Sequence, residues 1–240
     1  MHRRIGKVAV LGAGTMGARI AAHLANAGVP SYLFDIVPPD ADSGSRTSPG
    51  LGLGGVKDGS APNRIAAAGL EAAVKSKPAA FFEPSLARLI TVGNFEDDLQ
   101  KLADVDWIIE AVIEDLEIKR TLLRKIEAIR KPGTIITTNT SGLPVAKIVE
   151  GFSDEFRRNW FGTHFFNPPR YMRLLELIPT PDADPAAMDT IAHFCDLHMG
   201  KGVVYAKDTP NFIANRIGTF SALNVMRLMQ EMDLSIEEVD

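Results

Sequence analysis

The sequence predicts an α/β fold built on a Rossmann-type, doubly wound and mostly parallel sheet, followed by the start of an all-helical second unit. Three observations carry this. Short apolar runs alternate with helical stretches through residue 207. A glycine-rich turn joins the first run to the first helix. From residue 208 onward the alternation gives way to a helical stripe alone.

Residues 7–11 form a short apolar run of the kind buried on both faces of a parallel sheet. Residues 16–27 follow with Ile20, Ala21 and Leu24 at helical spacing, and Gly28 stands where such a helix is capped. A second strand at 31–35 closes a βαβ unit. Residues 38–62, rich in Gly, Ser, Pro and Asp, read as a mobile surface loop. A helix over 65–75 and strands over 89–92 and 107–112 resume the rhythm. An amphipathic helix at 114–129, a Pro132-Gly133 turn and a strand at 134–138 continue it. Strands at 160–165 and 174–178 are split by Asn167-Pro168-Pro169, and a helix at 185–198 and a strand at 202–205 complete the sheet.

After Asp208-Thr209-Pro210 the residues Phe212, Ile213, Ile217, Phe220, Leu223, Met226, Met229 and Met232 recur at helical spacing. So broad a stripe needs a surface to pack on. Residues 1–207 are therefore expected to form one domain and 208–240 the opening of a truncated helical one that serves dimerisation and substrate.

Composition narrows the function classes. The net charge is −4 and no basic block occurs, so a nucleic-acid partner is not expected. No apolar run approaches a membrane span, and the run behind Arg3-Arg4 is too short for a signal peptide. Cys195 is the single cysteine, which excludes an internal disulfide, fits a cytoplasmic setting and reads as a small buried hydrophobe. A metal site at His193 and His198 is disfavoured, because five residues along a helix point in different directions. No metal is expected.

Gly12-Ala13-Gly14-Thr15-Met16-Gly17 matches G-x-G-x-x-G between a strand and a helix, and Asp35 ends the next strand. Gly12 allows the tight turn, Gly14 lets backbone approach a pyrophosphate, and Gly17 lets helix and strand pack closely. The helix N-terminus offers free N–H groups to phosphates. Asp35 suits a ribose diol and repels a 2′-phosphate, and Ile36-Val37 supplies no arginine to receive one. NAD is favoured over NADP. Glu176, a carboxylate inside an apolar strand, needs a buried partner. His164 is placed to be that partner, its imidazole held in one tautomer with the other nitrogen left to take a proton. Read from the residues alone, Glu114 and Lys119 are a solvated helix-end pair.

Taken together these motifs make the chain resemble the 3-hydroxyacyl-CoA dehydrogenases of fatty-acid β-oxidation. The resemblance is carried by Gly-Ala-Gly-Thr-Met-Gly at 12–17, Glu-Ala-Val-Ile-Glu at 110–114 and Asn-Thr-Ser at 139–141. His-Phe-Phe-Asn-Pro at 164–168 and Lys-Asp-Thr-Pro with Phe-Ile-Ala-Asn-Arg across 207–216 complete it. It implies a catalytic dyad at His164 and Glu176, with Ser141 and Asn215 holding the substrate oxygens and Ser141 near the nicotinamide. It implies cofactor contacts at Asp35, Glu114, Lys119 and Asn167 beside the glycine turn, and oxidation of a 3-hydroxyacyl-CoA by NAD in a homo-oligomer.

Three features depart from the common pattern: Gly142 after Ser141, Asn211 in place of a glycine after Thr-Pro, and a longer glycine-rich loop at 40–60. The loop and Asn211 are more similar to long bacterial fusion enzymes in which a hydratase module follows. Lys75 and Lys77 are candidates for CoA contact. Two other readings stand beside this one. One is a dehydrogenase of a small non-CoA β-hydroxy acid, a group that commonly uses a lysine base; the other is a non-catalytic NAD-binding module.

Overall fold

The computed structural model describes residues 3–39 and 61–239. The glycine-rich segment expected to be a loop lies almost entirely outside them. Strand β1 (Val8–Leu11), helix α1 (Thr15–Asn26) and strand β2 (Ser31–Asp35) form the first βαβ unit. Then follow α2 (Arg64–Val74), β3 (Ile90–Asn94), β4 (Trp107–Glu110), α3 (Leu116–Ile129) and β5 (Ile135–Thr138). Two short helices, α4 (Val145–Ile148) and α5 (Asp154–Arg158), precede β6 (Trp160–Phe165) and β7 (Leu174–Ile178). The chain continues through α6 (Pro185–Met199), β8 (Gly202–Tyr205), α7 (Ala214–Met232) and α8 (Ile236–Val239).

Among the described residues the strands form one eight-stranded sheet in the order β3-β2-β1-β4-β5-β6-β7-β8. Every neighbouring pair is parallel except β6 and β7. Alternation along the buried strands feeds two cores. Val8 and Val10 pack with Ile20, Leu24, Leu70 and Ile191 on one face. Ala9 and Leu11 pack with Leu122, Ile126, Ile148 and Phe156 on the other. This is the doubly wound arrangement that the continuous apolar runs require.

Helix ends explain where the structure departs from the expected boundaries. The helix expected from Glu114 starts two residues later, because the Asp115 carboxylate accepts the Ile118 N–H at 2.9 Å and caps it. Glu114 is thereby left outside the helix. The helix expected from Phe212 starts at Ala214, because Asn211 and Phe212 both take left-handed backbone (φ 65° and 46°). Asparagine tolerates that conformation. The double turn swings Phe212 into the core, where it is 4% exposed.

Helix α7 has no buried residue, and Ile217, Phe220, Leu223 and Met226 are all exposed. Among the described residues no helix is long and apolar enough to cross a membrane.

Candidate active site

The carboxyl ends of the parallel strands carry the polar groups, where ligands of open α/β sheets bind. Gly12 turns the chain at φ 102° with its N–H donating to Phe34 O at 2.7 Å. At Gly17 a Cβ would stand 1.8 Å from Gly12 O, so only glycine allows α1 to begin this close to β1. A Cβ on Gly14 would meet nothing within 4 Å, and Gly14 and Thr15 are exposed while Met16 is half-buried. The cradle thus opens outward, with the first N–H groups of α1 facing the space a diphosphate needs.

Beside it lies a cleft of about 780 Å³ lined by Gly12, Gly14, Asp35, Val112, Ile118 and Lys125, among others. Asp35 closes its edge, accepting from Ala13 N at 2.5 Å and Ile36 N at 2.7 Å, each oxygen keeping a lone pair for a ribose hydroxyl. Ile36, Val37, Phe95 and Ile113 line the same cleft and suit an adenine ring. Sequence reasoning missed Phe95, Ile118 and Lys125, because the first sits beyond β3 and the others on α3, far from any glycine motif. These residues fit a bound NAD.

The dyad is built by register. On the antiparallel pair β6 and β7, His164 stands directly opposite Glu176, and His164 Nδ1 lies 2.7 Å from Glu176 Oε2. Both are buried, His164 at 5% and Glu176 at 0% exposure. Phe166 and Phe212 meet the imidazole edge-on, with centroids 4.5 and 5.4 Å away. The second oxygen, Glu176 Oε1, accepts the N–H groups of Ile213 and Ala214 at 3.1 and 2.8 Å. The same carboxylate therefore orients the histidine and anchors the start of α7. Asn215 follows immediately in α7, half-buried.

Ser141 lies on the loop after β5, where a cavity of about 40 Å³ brings it together with Thr209, Asn211 and Phe212. That loop is gathered by Glu114 Oε1, which accepts from the backbone N–H of Ser141 (3.1 Å), Gly142 (2.7 Å) and Leu143 (3.2 Å), and from the Thr140 hydroxyl. Burial alone would raise the Glu114 carboxyl, but these donors and Lys119 hold it below its ordinary value. Gly142, a departure from the family pattern, leaves room: its Cβ would stand 3.4 Å from Glu114 Oε1. Asp208 accepts the N–H groups of Val145 and Ala146, both at 2.9 Å, and ties the segment before α7 to α4.

Lys119 corrects the reading of a solvated pair. It is 1% exposed and donates at 2.7 Å to Glu110 Oε1, which is fully buried. Burial pushes the Glu110 carboxyl up, against the pull of Lys119 and Thr138. Glu110 was not singled out from the sequence, although a carboxylate ending the apolar run Trp-Ile-Ile gives the same signal that marked Glu176. Asn167 is exposed, and its Oδ1 accepts from Arg19 of α1 at 2.5 Å, which sets it beside the glycine turn. Cys195 is buried, which raises its thiol pKa. Lys75 and Lys77 are exposed just past α2, and Lys75 pairs with Glu71.

A strand, a glycine cradle and an acidic second-strand end define a dinucleotide-binding domain, and the same sheet carries the buried His164–Glu176 pair. The chain belongs to the 3-hydroxyacyl-CoA dehydrogenase NAD-binding domain family, whose model matches residues 7–209. A probable 3-hydroxyacyl-CoA dehydrogenase of Deinococcus radiodurans is 47% identical over 99% of this chain and 63% of its own length. One from Bacillus subtilis is 46% identical over the whole chain and 30% of its own length. The chain thus spans under two thirds of each of these relatives. Among solved structures, M. tuberculosis FadB2 superposes with a TM-score of 0.76 at 28% identity, covering 99% of this chain and 76% of that one. NAD is the cofactor of the family.

Proposed function

We propose that the protein oxidises a (S)-3-hydroxyacyl-CoA to the 3-oxoacyl-CoA with NAD as hydride acceptor, in fatty-acid β-oxidation. The observation that carries this is the 2.7 Å contact between His164 Nδ1 and Glu176 Oε2 across two buried strands. With Nδ1–H donating to that carboxylate, the lone pair sits on Nε2, where His164 takes the proton of the substrate 3-hydroxyl. NAD, when bound, would supply the acceptor for the hydride from C3. Glu176 stabilises the imidazolium, and its two backbone N–H partners keep it from turning away. Ser141 and Asn215 hold the substrate oxygens, and Phe166 and Phe212 exclude water from the imidazole. Asp35 takes the adenosine ribose, and the first turn of α1 takes the diphosphate. Residues 1–207 act as the cofactor domain, and α7 opens a helical unit that completes the substrate site and a homo-oligomer. Names among the relatives support the substrate class: a Rickettsia felis relative, 38% identical over 97% of this chain, is a putative fatty acid oxidation complex trifunctional enzyme.

The test is NADH formation by the full-length protein with 3-hydroxyacyl-CoA of several chain lengths beside the free 3-hydroxy acid. Thioester-dependent turnover is expected. Equal turnover of the free acid would overturn the substrate class.

A further inference from the structure

Between the carboxyl ends of β4 and β5, five side chains close on themselves. Glu110 Oε2 accepts the Thr138 hydroxyl at 2.6 Å, and Thr138 Oγ1 accepts Thr140 N–H at 3.1 Å. The Thr140 hydroxyl donates to Glu114 Oε1. Glu114 Oε2 lies 3.4 Å from Lys119 Nζ, which donates back to Glu110 Oε1. Glu110, Thr138, Thr140 and Lys119 are all buried, whereas the Glu114 side chain is 39% exposed. A carboxylate and an ammonium out of water, Glu110 and Lys119, are tolerable only while each has its partners. The ring has one open vertex, Glu114, and there it grips the three N–H groups of Ser141, Gly142 and Leu143.

We propose that Glu110, Thr138 and Thr140 are positioning residues that act through Ser141, an inference that rests on the reading of Ser141 given above. Lys119 belongs to the same device. Its ammonium donates to Glu110 Oε1 (2.7 Å) and Val112 O (3.3 Å) and pairs with Glu114 Oε2 at 3.4 Å. Breaking any link leaves a buried donor or acceptor without a partner, and the ring relaxes at its open end, where Ser141 is held.

Thr138→Val keeps the side-chain shape and removes the hydroxyl that bridges Glu110 and Thr140. In the full-length protein three readouts apply: kcat and KM, amide hydrogen exchange over residues 139–145, and calorimetric affinity for NAD. The expected result is a kcat loss of about tenfold or more, from a misplaced Ser141. Exchange at 141–143 quickens, NAD affinity changes by less than about threefold, and Thr138→Ser recovers most of the loss. Combined with Ser141→Ala, Thr138→Val costs nothing further, because both remove the same interaction. Unchanged exchange, or losses that multiply in the double variant, would overturn the inference alone. A neutral Ser141→Ala would overturn the reading of Ser141 and the inference with it. Should Thr138→Val not fold, Thr140→Val breaks the next link and carries the same expectations.

Discussion

The sheet body and helix α7 are built from the same kinds of large apolar residue, yet they meet opposite surroundings. Trp107, Phe161 and Leu175 are fully buried in the body, while Phe220, Leu223 and Met226 on α7 are 59–69% exposed. The body goes further and buries charge: Glu110, Lys119 and Glu176 lie inside it, each with hydrogen-bonding partners. The two regions meet at one carboxylate, since Glu176 holds His164 with one oxygen and the first N–H groups of α7 with the other. The site is thus packed and polar on the sheet side. On the α7 side it depends on a helix whose apolar face has nothing to pack against among the described residues. An apolar surface of that kind asks for a partner.

The largest effect that sharpens this comparison is a matched pair of glycines. Gly17→Ala drives a Cβ to within 1.8 Å of backbone at Gly12, and no flexible atom there can yield. It should cost about 3 kcal/mol or more of stability, since overpacked cores relax by moving backbone. Gly218, inside α7, has nothing within 4 Å of its added Cβ, so Gly218→Ala should stabilise by about 0.5–1 kcal/mol through helix propensity. Urea unfolding of both variants decides it. A neutral Gly17→Ala would mean the strand–helix contact is looser than the geometry shows.

Next in size is an acid-sensitive step within the body. Burial, followed by the charge of Lys201, lowers the His23 pKa from 6.5 to about 4, with Met199 O pulling the other way. Among the described residues His23 Nδ1 has no hydrogen-bond partner, so a proton there would go unpaired. The folded pKa lies below the unfolded one, so the unfolded chain takes the proton first. Stability is full above pH 6.5 and drains as pH falls toward 4, by up to about 3 kcal/mol. His23→Gln keeps a donor for Met199 and should flatten that part of the profile. An unchanged slope would contradict the assignment.

The fold was legible in the sequence wherever burial was two-sided. Strands at 31–35, 160–165 and 174–178 appear at the expected positions, and so does the largely exposed edge strand at 202–205, which its β-branched Val203-Val204 pair marks. Helices α4 and α5, of four and five residues, were not legible, because one turn leaves no periodicity to read. The His164–Glu176 pair was legible, since a carboxylate in an apolar strand demands a partner and the proline bend turns the chain back. The Glu110 ring was not: it depends on Thr138, Thr140 and Lys119 converging from three segments, and no local pattern records that. Nor does sequence spacing show that Glu176 also grips α7.

A smaller effect belongs to the cofactor cleft. Asp35→Ala should weaken NAD by about tenfold, the worth of a hydrogen bond to a charged group, while NADP loses less or gains. Titration of both cofactors checks it. Equal affinity of the unaltered protein for NAD and NADP would remove the specificity argument, and Lys125 in the same cleft is where a 2′-phosphate would then be sought.

Smallest for the body is the apolar face of α7. Replacing Phe220, Leu223 and Met226 together with serine should change the unfolding free energy of residues 1–240 by no more than about 0.5 kcal/mol per site. It should abolish the self-association that the unaltered chain is expected to show in light scattering. A large loss of stability in a chain that remains monomeric would mean that α7 packs onto the body.

Under the proposed function His164 is the base of a proton transfer, not a structural histidine paired with a buried glutamate. His164→Gln in the full-length protein tests it most directly, with turnover of a 3-hydroxyacyl-CoA and NAD affinity measured on the same sample. The expected result is a fall in kcat of about 10²–10⁴, the worth of a positioned general base, with NAD binding nearly intact. Near-full turnover by that variant would contradict it.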